Sequence, residues 1–247
     1  MPTIDVHFLP SLITPEALSG ATVVVIDVLR ATTTITAALA TGAKEVIPCF
    51  EVDEARRVAA ALPPGMAVLG GERGGTRIEG FDLGNSPSEY TPKRVAGKTV
   101  VFTTTNGTRA LQQCRQAAEV WLGSLNNLQV IVSRIADRPT VQIVCAGTNG
   151  HVTLEDVLTA GFVVLRMCQH APRTLGDSAI LARVAAESCE HNRARLRELF
   201  AHSRGGRNLV ELGYDADIDY AVNIDYASIA PRLDLNDWRV VAGLACY

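Results

Sequence analysis

A short β-branched apolar run, a polar turn rich in Thr, Gly or Asn, and a stretch with helical spacing follow one another three times along the chain. Residues 21–26 (ATVVVI) lead into the turn 27–34 (DVLRATTT) and a helix over 35–42; residues 99–102 lead into TTTNGT at 103–108 and a helix over 109–118. Residues 141–145 lead into AGTNGHVTLED at 146–156 and a helix through about His170. Apolar runs of four to six residues without alternation are strands buried on both faces, and their regular exchange with helices predicts a largely parallel, possibly mixed, sheet covered by helices. The expected fold is therefore a three-layer α/β/α domain. Further strands are expected at 45–49, 67–69 and 118–122, and helices at 51–62 and over the long Arg/Glu-rich stretch 176–200.

Residues 70–90 (GGERGGTRIEGFDLGNSPSEY) break this rhythm: they are glycine-dense, follow neither period, and carry too much charge for a buried connection, which marks a loop that is either functional or disordered. The tail from 205 to 247 alternates Tyr/Asp with apolar residues and is expected to close the sheet or cover one side of it. No linker or shift of composition divides the chain, so residues 1–247 read as one domain.

Composition narrows the class. With 47% hydrophobic and 20% charged residues in 247, the chain has the make-up of a globular domain. Its longest apolar runs fall short of the ~18 residues of a membrane span, and residues 1–10 lack the pattern of a signal peptide. The six cysteines show no CxxC spacing and read as reduced core thiols of a cytoplasmic protein. A net charge of −3 and the absence of a basic run argue against nucleic acid as a partner. Lys44, Lys93 and Lys98 are the only lysines among 23 basic residues, and arginine's planar fork suits phosphate, sulfonate or carboxylate oxygens. A base composition rich in G and C explains the same bias, so only arginines placed in loops argue for anion binding. Assembly is not readable, and a homodimer is the default.

In a parallel α/β sheet the loops leaving the carboxyl ends of the strands share one edge, where helix N-termini favour anions. Asp27 follows the first strand directly, so its carboxylate is expected at the strand tip as a metal ligand or nucleophile; the competing reading is a helix cap. Arg30 with Thr32, Thr33 and Thr34 supplies a forked cation and three hydroxyls suited to phosphate oxygens, although an ordinary capped helix start would look similar. Thr103, Thr104, Thr105, Asn106 and Gly107 repeat that chemistry, with Arg109 one turn into the helix. In the glycine-rich stretch, Glu72 and Asp82 are candidate ligands of a hard cation, and Arg73, Arg77, Asn85 and Ser86 are candidate substrate contacts. Glu155 and Asp156 fit either magnesium or favourable placement at a helix start.

Neither a P-loop nor a GxGxxG fingerprint is present. Cys189 and Arg195 match a Cys-x5-Arg spacing but fall inside the long helix, and Leu29 stands where a haloacid-dehalogenase-type phosphatase has its second aspartate. The histidines lack ligand spacing, which leaves oxygen donors and hence Mg²⁺ or Mn²⁺ as the metal. His151 remains a proton-transfer candidate, and Cys145 reads as a buried thiol rather than a nucleophile.

The strings VVIDVLRATTTITAAL, GGERGG, GFDLGNSPSEY, GKTVVFTTTNGTRAL and VCAGTNG…LEDVLTAG together resemble the 2-phosphosulfolactate phosphatase family, over about residues 21–161 and more faintly 213–231. The resemblance implies an α/β enzyme that hydrolyses 2-phosphosulfolactate to 3-sulfolactate and phosphate with magnesium, a step associated with coenzyme M biosynthesis. It places Asp27, Arg30, Glu72, Arg73, Asn85, Ser86, Thr104, Asn106 and Asp156 in matching motifs. Asp27 and Arg30 are then the catalytic candidates, Asp27, Glu72 and Asp156 the metal candidates, and Thr32, Thr33, Arg73, Asn85, Ser86, Thr104, Thr105, Asn106, Gly107 and Arg109 the substrate contacts. Such a substrate carries a phosphate of about −1.5 to −2 together with a carboxylate and a sulfonate, so the site must gather positive charge. Asp27 either attacks phosphorus or holds magnesium and orients water; the second is the reading adopted. Two rivals stand beside it: a magnesium-dependent phosphatase of another small ester, and a phosphate- or sulfonate-binding protein without turnover.

Overall fold

The computed structural model describes residues 1–244. The end of the expected tail strand, with Cys246, lies outside the described residues. In chain order the strands are β1 (Thr3–His7), β2 (Thr22–Ile26), β3 (Glu45–Pro48), β4 (Ala67–Arg73), β5 (Thr76–Arg77), β6 (Thr99–Thr103), β7 (Glu119–Gly123), β8 (Thr140–Cys145), β9 (Thr174–Leu175), β10 (Ile229–Asp234) and β11 (Arg239–Leu244). The helices are α1 (Ala31–Ala40), α2 (Val52–Ala61), α3 (Pro92–Val95), α4 (Gly107–Gln113), α5 (Leu128–Ile135), α6 (Leu154–His170), α7 (Asp177–Glu187), α8 (Arg193–His202), α9 (Arg204–Glu211) and α10 (Asp215–Ala221). No helix among the described residues is long and apolar enough to cross a membrane.

All strands join one mixed, mostly parallel sheet in the order β5-β4-β6-β3-β11-β10-β7-β2-β8-β1-β9. As the unbroken apolar runs require, the central strands are buried on both faces. Val24 and Ile26 of β2 join a core beneath α5, α6 and α7, while Val23 and Val25 face the opposite core against α1 and α4. Gly161 lets α6 approach α7 closely, since a Cβ there would stand 2.0 Å from the Ala182 carbonyl oxygen. The result is the three-layer α/β/α arrangement expected from the sequence.

Four local expectations need correction. The stretch 70–90 is not a featureless loop: β4 runs through Glu72 to Arg73 and turns back as β5, and Glu72, Leu83, Asn85 and Ser86 are all buried. The helix expected over 176–200 is two helices, α7 and α8; Asn192 caps the second by accepting a hydrogen bond from the Arg195 N–H at 2.9 Å. Cys189 therefore lies in the break rather than in a helix, buried and pushed up in pKa by that burial. The tail covers one side only in part, through Leu209, Ile218 and Ala221 of α9 and α10, which join the core beneath α5, α6 and α7, and its last strands, β10 and β11, form an antiparallel hairpin inserted at the centre of the sheet, between β7 and β3.

That insertion has a geometric consequence. Three successive antiparallel pairings (β3–β11, β11–β10, β10–β7) make the parallel block β4-β6-β3 run opposite in sense to the block β7-β2-β8-β1. Twist of about 20–25° per strand accumulates across these steps and brings the carboxyl ends of the two blocks back towards each other. Helix α1 packs across β3, β7, β10 and β11. The Thr-rich turns after β2 and β6 thus meet at the start of α1 through curvature, not because they leave one uniformly parallel edge.

Candidate active site

At the tip of β2, Asp27 is 7% exposed, and its two oxygens have different surroundings. Oδ1 accepts a hydrogen bond from the Ala31 N–H at 3.2 Å, so the residue caps the start of α1 as the simpler reading expects. Oδ2 faces the β6–α4 turn, where Gly107 makes the close approach possible: a Cβ there would sit 2.9 Å from Asp27 Oδ2 and 2.7 Å from the Ala31 Cβ. Burial pushes the Asp27 carboxyl up to about 7; the Ala31 N–H and Arg30 oppose the rise, while the charges of Glu72 and Glu155 add to it.

Behind Asp27, Asp156 at the start of α6 accepts from the Val28 N–H at 2.9 Å and the Gly147 N–H at 3.0 Å. It fastens the loop after β2 to the loop after β8, and burial, together with Asp27 and Glu155, holds its carboxyl well above the usual range. Glu72 plays the same part within the other block, accepting from the Thr105 N–H after β6 at 2.8 Å and the Gly75 N–H after β4 at 2.7 Å. Glu155 accepts from the Gly205 N–H at 3.2 Å and so attaches the start of α9; burial raises its carboxyl as well.

Arg30 lines the cleft but its charge is already answered. It donates to Asp217 Oδ2 at 2.7 Å with both side chains 3% exposed, donates to the Gly75 carbonyl at 2.6 Å, and lies over the Tyr214 ring. Asp217 also accepts from the Ser86 hydroxyl at 2.5 Å. Arg30, Ser86 and Asp217 form one buried network that ties the β2–α1 turn to α10.

The cleft above these residues holds about 280 Å³ and is lined by Asp27, Arg30, Glu72, Asn85, Thr105 and Asn106 from the strand ends, by Thr148 and Asn149 after β8, and by α9. Asn85 Oδ1 and, beside Asp27, Thr104 Oγ1 are buried without a hydrogen-bond partner. The remaining sequence candidates sit elsewhere. Thr32 Oγ1 accepts from the Asp27 N–H, Thr33 donates to the Val28 carbonyl and Thr34 to the Asn85 carbonyl, so these hydroxyls fix the turn from inside and none lines the cleft. Arg73 bonds the Glu72 and Phe50 carbonyls and the Thr103 hydroxyl; Arg109 lies exposed over the Phe50 ring. Arg77 and Asp82 are exposed away from the cleft, as is His151, and Cys145 is a fully buried thiol pushed well up in pKa by its burial. Unforeseen from the sequence were Asp217, Tyr214 and the cleft residues Arg204, Arg207 and Asn208; a Ser-capped start reading SRGGR was the available signal.

The donor set suits a hard cation held sparingly. No three acidic, His or Cys side chains among the described residues converge so as to hold a metal by themselves. Asp27 Oδ2 and the orphaned Asn85 Oδ1 are oxygen donors at the cleft, which matches the habit of Mg²⁺ of taking one or two protein oxygens and completing its shell with water and substrate. Glu72 and Asp156 have both oxygens engaged by backbone N–H groups.

Fold and cleft together define an α/β protein with a polar cleft at converging strand ends. The family model described as 2-phosphosulpholactate phosphatase matches residues 7–236. The chain is 43% identical over 218 residues to the "Probable 2-phosphosulfolactate phosphatase" of Caldanaerobacter subterraneus subsp. tengcongensis, covering 87% of this chain and 89% of that protein. It is 41% identical to the protein of the same name from Symbiobacterium thermophilum (87% and 92% covered) and 40% identical to that from Thermotoga petrophila (86% and 88%). This chain belongs to the 2-phosphosulfolactate phosphatase family, an enzyme family of phosphoric monoester hydrolases.

Proposed function

We propose that the protein is a cytoplasmic, magnesium-dependent phosphatase that hydrolyses 2-phosphosulfolactate to 3-sulfolactate and inorganic phosphate. The observation that carries the reading is the Asp27 carboxylate, held at a strand tip with one oxygen fixed by the Ala31 N–H and the other left to the cleft. The relatives' names supply the substrate.

Asp27 with the Asn85 amide oxygen would hold Mg²⁺, Glu72 standing beside them. Bound there, the ion supplies neutralising charge to phosphate oxygens and lowers the pKa of water. The chain's own residues do the rest. Ionised Asp27 orients the attacking water towards phosphorus and accepts its proton. As the new P–O bond forms, the ester P–O bond breaks and the leaving oxygen takes up a proton from solvent to depart as the hydroxyl of 3-sulfolactate, while Thr105 and Asn106 offer hydrogen bonds to the ester from the opposite strand block. Asp156 keeps the loops after β2 and β8 in register and Glu72 those after β4 and β6, so that these groups stay aligned. α9 forms one wall of the cleft.

The test is phosphate release from 2-phosphosulfolactate beside 2-phospholactate and phosphoglycolate, with magnesium and with chelator. Metal-dependent turnover strongest on the sulfonate is expected. Turnover unaffected by chelator removes the metal from the reading, and equal turnover of all three esters removes the substrate.

A further inference from the structure

The chemistry of the proposed substrate poses a question that Arg30 does not answer. Beyond the phosphate stands a second anionic end, a carboxylate and a sulfonate, and the floor of the cleft presents Asp27 and Glu72 with Glu155 and Asp156 buried behind. Arg30 is neutralised by Asp217 and has its remaining reach taken up by the Gly75 carbonyl and the Tyr214 ring. Arg73, Arg77 and Arg109 do not line the cleft. The cationic side chains left on its wall are Arg204 and Arg207, both exposed and three residues apart on α9. Neither forms an ion pair with an acid among the described residues; Arg207 donates only to the His202 carbonyl at 2.5 Å. Residues three apart on a helix share a face, which Asn208 extends with an amide and Glu211 bounds one turn further on.

Resting on the function proposed above, we infer that Arg204 and Arg207 are specificity-determining residues that hold the carboxylate–sulfonate end of the substrate while the strand ends hold its phosphate. The start of α9 is fixed for this task from two sides. Ser203 caps it by accepting from the Gly206 N–H at 3.0 Å, and Glu155 accepts from the Gly205 N–H, where a Cβ would stand 2.1 Å from Glu155 Oε1. A side chain at 205 would displace the helix that carries both arginines. The arrangement separates tasks along the chain: residues before 160 meet the phosphate, and α9 reads what the phosphate is attached to.

The experiment compares wild type with Arg204→Ala, Arg207→Ala and the double variant, and with Arg204→Lys/Arg207→Lys, which keeps the charge and loses the fork. Both sites are exposed, and unchanged melting temperatures establish that the variants fold. For 2-phosphosulfolactate the double alanine variant is expected to raise KM roughly 100-fold with kcat within about threefold, and each single variant roughly 10-fold, in keeping with charge-assisted hydrogen bonds. For phenyl phosphate, which has no second anion, kcat/KM is unchanged; for 2-phospholactate, with the carboxylate alone, the loss is intermediate. Equal losses on all three esters, or no loss on the first, overturn the inference. Calorimetry gives a readout independent of turnover: sulfolactate binding weakens in the alanine variants while binding of inorganic phosphate does not. If wild type releases phosphate from none of the esters, the function falls; a sulfolactate affinity that is then lost in the double variant still upholds the two arginines, and one that is unmoved overturns them.

Discussion

The turns after β2 and β6 look alike in sequence, DVLRATTT and TTTNGT, and they do different work in the molecule. In the first, Thr32, Thr33 and Thr34 are all turned inward and hold the turn to itself and to the Asn85 segment. In the second, Thr105 and Asn106 line the cleft and Thr104 carries a buried hydroxyl with no partner. The first turn is a rigid mount for Asp27 and Arg30; the second is a surface offered to the ligand. A hydroxyl in a sequence reveals a capacity for hydrogen bonding, and its neighbours decide whether any of that capacity is left over.

Four substitutions sharpen or break this contrast. The largest effect is expected for Asp27→Asn, with turnover of phosphate ester falling roughly 10³-fold while the protein stays folded; retention of most activity would contradict the role given to the carboxylate. The same variant has a signature in stability. Because the folded carboxyl is raised from 3.8 to about 7, the folded chain binds this proton more tightly than the unfolded chain, so the associated stability is present below pH 4 and lost as pH rises through about 7. With metal chelated, Asp27→Asn is therefore expected to be more stable than wild type at pH 8, by on the order of 4 kcal/mol, since each tenfold difference in proton affinity between the two states is worth ~1.4 kcal/mol, and no more stable at pH 4. Thermal unfolding at the two pH values checks the sign.

Next comes Asp217→Ala, which leaves the buried Arg30 guanidinium without its carboxylate. Denaturant unfolding is expected to show a loss of about 3–5 kcal/mol; a loss below ~1 kcal/mol, the scale of an exposed pair, would mean that the network is not buried as described. Smaller again is Thr34→Val, which leaves the Asn85 carbonyl short of a donor and is expected to cost about 1–3 kcal/mol, with the folded fraction keeping near-normal kcat. The smallest change belongs to the second turn: Asn106→Ala is expected to lower stability by about 1 kcal/mol or less and to raise KM several-fold, since it loses one bond to the Asn149 N–H and one ligand contact. If Thr34→Val proves to be a KM variant and Asn106→Ala a stability variant, the contrast between the turns is reversed.

The β–turn–α units were legible because each strand is buried on both faces, and an unbroken apolar run beside an amphipathic stretch survives in the sequence whatever the tertiary context. Asp27 was legible for the same reason, as the first polar residue after such a run. The glycine stretch hid β4's continuation because glycines at 70 and 71 contribute no side chain to a periodic pattern, although Gly70 packs against the Tyr90 hydroxyl and Gly71 against the Thr103 carbonyl. The break between α7 and α8 was masked by helix-forming residues on both sides. Asp217 read as one acidic residue among several in the tail, and nothing local distinguishes it from Asp215 or Asp219, which stay nearer solvent.

By itself, the sequence determined the layers of the fold and the residues at the strand tips, because both depend on side chains close together along the chain. Only the tertiary structure decided which of those side chains remain free. It inserted β10 and β11 into the middle of the sheet, reversed one block of strands against the other, and let accumulated twist bring Asp27, Glu72 and Asn106 to one cleft. It also answered Arg30 with Asp217, 187 positions away in the chain, and left Arg204 and Arg207 on the cleft wall. A buried charge must find its partner wherever the fold places one, and that requirement has no period and no fixed spacing in the sequence.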